Sequence, residues 1–96
     1  MRIFKVVPNE KGYEKMIMNT LEEMQNEVGG YIQVCYLTDG LLAIVDEEGL
    51  LKDLPDNLWL PKYGVIKGNV VFVRDDGNGD FESLTDEDIE MLKHWY

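Results

Sequence analysis

Two runs rich in β-branched and aromatic residues, Tyr31–Leu37 and Leu41–Val45, are separated only by Thr38-Asp39-Gly40. Asp-Gly between such runs is a strong hairpin signal, because both residues tolerate the left-handed backbone that a tight reversal requires. An antiparallel hairpin therefore sits mid-chain. A lone hairpin is marginal in water, so the flanking segments must supply strands and helices that cover it.

Upstream, Ile3-Phe4-Lys5-Val6-Val7 reads as a strand that stops at Pro8-Asn9. Tyr13, Ile17, Leu21, Met24 and Val28 then recur at spacings of four, four, three and four, which predicts one amphipathic helix over Tyr13–Val28. Glu14, Glu22, Glu23 and Glu27 lie off that stripe, and Gly29-Gly30 supplies the helix stop.

Downstream, Asp46-Glu47-Glu48-Gly49 reads as a polar turn. The apolar segment Leu54–Pro61 is expected to be irregular, because Pro55 and Pro61 oppose regular pairing. Val65-Ile66 and Val70–Val73 supply further strands around Lys67-Gly68-Asn69. A last helix starts at Thr85, with Asp88 completing a capping box and Leu84 stapling onto Ile89. Asp86, Glu87 and Asp88 in its first turn, and Lys93 and His94 near its end, complement the helix dipole. The expected fold is α+β: a mostly antiparallel sheet with an N-terminal β-α unit and a C-terminal helix packed on the sheet. At 96 residues and 45% apolar content, the chain forms one domain over 1–96.

A formal net charge of −10 repels nucleic acid and anionic membrane, and directs partners toward cations, basic protein surfaces or ligands held by neutral groups. The N-terminal apolar run is too short for a secretory signal, so a cytoplasmic location is expected. Cys35, the single cysteine, has no internal disulfide partner and fits a small buried thiol.

Several segments together carry a family resemblance: Val28-Gly29-Gly30-Tyr31-Ile32, Val45-Asp46-Glu47-Glu48-Gly49, Leu54-Pro55-Asp56-Asn57, Lys67–Val73 and Phe81–Glu87. In this order and spacing the chain resembles the bacterial domain-of-unknown-function 3846 family, which is found among Firmicutes and their phages and mobile elements. The resemblance implies context and carries over no catalytic residue. Where members tend to read Leu-Pro-x-Asn-Arg, this chain has Leu58 after Asn57, so an arginine that could grip a phosphate at that loop is missing.

No nucleophile, base and orienter stand at recognisable spacing, and no Gly-rich loop with a following lysine opens a helix, so a non-enzymatic protein is expected, with no cofactor. His94, the only imidazole, sits at a helix end, where it reads as a dipole-complementing cation. Asp76, Asn78, Asp80 and Glu87 fall at positions one, three, five and twelve of a helix-flanked calcium loop. Position six is Phe81 rather than glycine and a strand precedes the loop, so a Gly-rich turn leading into a capped helix is favoured and no metal site is assigned.

Two surfaces remain as candidates. Asp75, Asp76, Asp80 and Glu82 belong to a stretch, Asp75–Glu90, that holds eight carboxylates and no lysine or arginine, and they form a candidate partner-binding surface. Asn57, Trp59 and Tyr63 offer an amide and two aromatics to a planar ligand, although Leu58, Trp59 and Leu60 also suit a minor core. The leading expectation is an acidic inhibitor from a phage or mobile element that occupies a basic surface of a host defence protein. Alternatives are a sequestering protein for a small nucleotide signal, expected as a homo-oligomer because one small domain offers little concave surface, and a general interaction module.

Overall fold

The alternating side chains of β1 (Arg2–Val6) place Ile3 on one side of a sheet and Phe4 and Val6 on the other, and all three are buried. That division organises the whole molecule. The computed structural model describes residues 1–96 as eight strands and two helices: β1, β2 (Tyr13–Met16), α1 (Leu21–Val28), β3 (Ile32–Tyr36), β4 (Leu41–Asp46), β5 (Asp56–Leu60), β6 (Gly64–Lys67), β7 (Val70–Asp75), β8 (Phe81–Glu82) and α2 (Asp86–Trp95). The main sheet runs β2-β1-β7-β4-β3, all neighbours antiparallel, and β8 pairs with the end of β7. The α+β class, the antiparallel sheet and the packed C-terminal helix are as the sequence predicts.

Strand β4 lies between β3 and β7, and all six of its residues are buried. One face of the sheet presents Ile3, Leu42, Ile44, Val71 and Val73 to Met24 and Val28 of α1 and to Ile17. The other presents Phe4, Val6, Cys35, Ala43, Val45, Val70 and Phe72. Leu84, Ile89 and Leu92 from α2 and its entry cover part of that face, and Leu58, Leu60 and Ile66 cover the rest. The protein is therefore a three-layer structure, with α1 on one side and α2 plus a two-stranded β5–β6 sheet on the other.

The predicted helix over Tyr13–Val28 is shorter in the structure. Tyr13–Met16 is strand β2, paired with β1 from Arg2 opposite Met16 to Lys5 opposite Tyr13. The helix starts only after Thr20, whose hydroxyl accepts from the Glu23 N–H at 3.1 Å. Gly12 makes the strand possible, since a Cβ there would stand 2.3 Å from Phe4 Cε1. Gly29 ends the helix at φ 89°, its N–H donating to Gln25 O.

Leu54–Pro61, expected to be irregular, contains β5. Pro55 and Pro61 flank the strand without entering it, so neither removes a ladder donor, and the disturbance is confined to a register shift between Asp56 and Trp59. The Thr38-Asp39-Gly40 reversal is as expected: Asp39 and Gly40 sit at φ 55° and 80°, and Leu41 N–H closes on Thr38 O. The capping box at Thr85 and Asp88 is complete in both directions.

Candidate functional site

Among the surfaces that the fold leaves open, one groove is both concave and apolar. Its floor is Leu41, Leu60, Phe72 and Leu92, all buried, and Tyr96 stacks on Phe72 with ring centroids 5.5 Å apart. Its walls come from three places: Tyr36, Leu37 and Thr38 at the end of the β3–β4 hairpin, Pro61 and Lys62 in the β5–β6 turn, and Met91 and Trp95 on α2. The volume is about 370 Å³, within the usual range for ligand clefts. Trp95 beside this buried floor is 68% exposed.

Local chemistry holds these walls in place. In the β5–β6 turn Lys62 lies at φ 72°, and Tyr63 N–H bonds back to Leu60 O. The Tyr63 hydroxyl then accepts the outward-facing Tyr36 N–H at 3.1 Å, which ties the turn to the edge of β3. At the opposite end of β5, the Asn57 amide donates to Val6 O at 2.9 Å and Gly68 O at 2.8 Å, fixing the hairpin to β1 and β7's approach. At the C-cap of α2, Tyr96 O accepts the Gly12 N–H, anchoring the helix end. Burial pushes the Tyr96 phenol up, so it stays protonated and able to donate at neutral pH.

The aromatic-loop candidates separate in space. Asn57 is committed to two main-chain carbonyls, Trp59 lies outside the groove on the outer face of the hairpin at 62% exposure, and Tyr63 braces β3. Leu58 faces the core. Asn57→Ala removes two hydrogen bonds to part-buried main-chain carbonyls and should cost about 2 kcal/mol, read as a lower midpoint in urea unfolding. An unchanged midpoint would show that Asn57 does not fasten the hairpin.

The acidic candidates stay together. Asp75, Asp76, Asp80 and Glu82 lie in and around the β7–β8 turn, and none of them forms a salt bridge. Several of their oxygens shape the turn: Asp75 Oδ1 accepts from Gly77 N–H, and Asp76 Oδ1 accepts from the N–H groups of Asn78 and Asp80. Asp76 and Asp80 thus serve a turn, and no three His, Cys, Asp or Glu side chains are arranged to hold a metal ion. Asp75 N–H donates to Gly40 O at 2.9 Å, which brings the acidic turn against the β3–β4 hairpin tip that bounds the groove. The titratable residues lining the groove are Tyr36, Lys62 and Tyr96, while Cys35 is buried with its thiol pushed up by burial. His94 is exposed on α2.

Sequence reasoning missed Tyr36, Met91 and Trp95 as one site. The available signal was the concentration of apolar residues at the end of α2 beyond what a single buried stripe needs: Met91, Trp95 and Tyr96 beside Leu92. No helix is long and apolar enough to cross a membrane. No match appears among curated proteins or among solved structures. The family model described as Domain of unknown function (DUF3846) matches residues 1–96, the whole chain, and the protein belongs to that family.

Proposed function

We propose that this is a non-catalytic binding domain that docks a segment of a partner protein, an apolar anchor entering the groove and adjacent basic residues lying over the acidic turn. The observation that carries it is contiguity: the groove at its Thr38 wall and Leu41 floor and the carboxylates of Asp75 and Asp76, which form no salt bridge, meet at the Gly40–Asp75 hydrogen bond. An apolar cleft supplies affinity, while unpaired carboxylates supply steering and select a basic partner. Small size and a net charge of −10 fit an inhibitor that occupies a basic surface of a host protein. The proposal extends to a cytoplasmic target and to a phage or mobile-element setting.

The test is calorimetric titration with short synthetic peptides that carry one leucine or phenylalanine anchor followed by either lysines or glutamates. The lysine series should bind, weaken steeply as salt rises, and lose about tenfold or more in affinity with Trp95→Ala. Asp80→Asn with Glu82→Gln, both exposed, should reduce the salt dependence and leave the fold intact. Equal binding of the glutamate series would sink the reading.

A second reading, sequestration of a small planar anion such as a nucleotide, is favoured by one observation. Lys62 lines the aromatic groove and forms no salt bridge. Mononucleotide titration with Lys62→Ala as the control separates it from peptide docking.

A further inference from the structure

The two edges of the main sheet are treated differently by the sequence. Edge strand β2 carries Glu14 and Lys15, with Lys11 just before it, and charges on an edge discourage pairing with another chain. The other edge, β3, reads Ile32-Gln33-Val34-Cys35-Tyr36, with no charge, no proline and an unbroken register against β4. It has none of the usual protections.

The hydrogen bonds define how much of that edge is open. Glu47 N–H bonds to Tyr31 O and Leu37 N–H to Leu41 O, so the odd-numbered residues of β3 face β4 and the even-numbered ones face outward. Two outward donors at the ends are occupied: Gly30 N–H bonds to Gln25 O at 3.1 Å, and Tyr36 N–H to the Tyr63 hydroxyl at 3.1 Å. Between them, the N–H and C=O groups of Ile32 and Val34 have no partner within the chain. The open window is thus centred on Gln33.

We propose that β3 is a homodimerisation edge, on which a second copy of this chain adds antiparallel about a two-fold axis at Gln33. In that register Ile32 of each copy exchanges both main-chain hydrogen bonds with Val34 of the other, four bonds in all, and the Tyr36–Tyr63 and Gly30–Gln25 bonds are kept. Gln33 meets its own counterpart on the axis, where two amides can bond to each other. The exposed Tyr36 ring lies opposite Gly30 of the other copy, which has no side chain of its own and stands beside the paired Lys52 and Asp46 side chains. A second copy is the occupant that this edge selects. Two molecules at −10 each repel wherever their charged surfaces meet, and Tyr31–Leu37 contains no charge at all. A basic partner gains nothing on so neutral a strand. The inference does not rest on what binds in the groove, whose lining it meets only at Tyr36.

The experiment is sedimentation velocity across about 5 µM to about 1 mM protein, at low and at high salt. The expected result is a mass moving from 11.1 kDa to twice that with concentration, at lower concentrations in high salt, because screening relieves the repulsion between copies. Gln33→Arg places like charges across the axis on an exposed side chain and should weaken dimerisation by tenfold or more while leaving thermal unfolding unchanged. Val34→Pro removes an outward N–H that the β3–β4 ladder does not use, and should have the same effect. If Val34→Pro fails to fold, Gln33→Arg decides. A chain that stays monomeric throughout, a dimer indifferent to Gln33→Arg, or a dimer that salt weakens would overturn the proposal.

Discussion

Glu27→Ala should be among the most damaging single substitutions in this protein, lowering stability by about 3 to 4 kcal/mol and the melting temperature by roughly 15 °C or more. Glu27 is on α1 with its side chain only 6% exposed, and it receives Lys5 Nζ at 3.1 Å and Lys15 Nζ at 2.9 Å. Lys5 is 13% exposed, so removing the carboxylate strands an ammonium ion where water reaches it poorly. Lys15, at 41%, can turn to solvent and adds little. Replacing both partners, Glu27→Leu with Lys5→Met, should recover much of the loss, because the cost comes from the unpaired charge. A double variant no more stable than Glu27→Ala would refute that account.

The same cluster sets a pH window. Burial acts to raise the Glu27 pKa, but the hydrogen bonds and charges of Lys15 and Lys5 outweigh it and hold the carboxyl below its ordinary value. Its contribution is therefore complete above the unfolded carboxyl pKa, about 4.3, and is lost as pH falls through the lower folded value. The hydrogen bond to Glu27 raises the Lys15 pKa, so that side of the pair is complete below about 10.4 and is lost as pH rises through the folded value. Denaturant unfolding of the wild type should show a plateau between these limits, with the acid-side loss reduced in Glu27→Gln.

Asp88→Ala should cost about 3 kcal/mol, because one carboxylate performs two tasks. Asp88 Oδ2 and Oδ1 receive Arg74 Nε and Nη2 at 2.6 and 2.8 Å, a two-pronged ion pair, and Oδ2 also accepts the Thr85 N–H at 2.9 Å. Arg74 in turn donates to Asp39 O at 2.5 Å, so the pair links α2 to β7 and to the hairpin tip beside the groove. Arg74 holds the Asp88 carboxyl below the usual range. Its share of stability is thus present above about pH 4 and disappears as pH falls further. Asp88→Asn keeps an acceptor for the cap and should lose less than alanine, while Arg74→Met should remove the ion pair but leave the capping box. Equal losses for Asn and Ala would assign the whole effect to the ion pair.

Much of the fold was legible because its signals are local. The Asp39-Gly40 reversal, the Gly29 stop and the Thr85–Asp88 capping box each depend on a few adjacent residues, and each stands where the sequence puts it. The error at Tyr13–Met16 has a definite cause. A spacing of four is even, so Tyr13 and Ile17 share a face in a strand as well as in a helix, and periodicity alone could not separate the two. Pairing with β1, which lies elsewhere in the chain, decided it. Leu54–Pro61 failed for a related reason: proline forbids a ladder position, and both prolines fall just outside the paired span.

The sequence by itself determined the class of the protein: an acidic α+β chain with one central hairpin and one capped C-terminal helix. Those properties follow from composition and from short-range steric and capping rules, which act within a few residues. Tertiary structure alone decided where binding is possible. The groove unites Tyr36, Lys62 and Trp95, and the open window on β3 is bounded by Gln25 and Tyr63, groups far apart in the chain. Which side chains meet, and which main-chain groups stay unpaired, is set by how the β5–β6 hairpin and α2 share one face of the sheet, and that arrangement minimises exposed apolar area over the whole molecule rather than within any one segment.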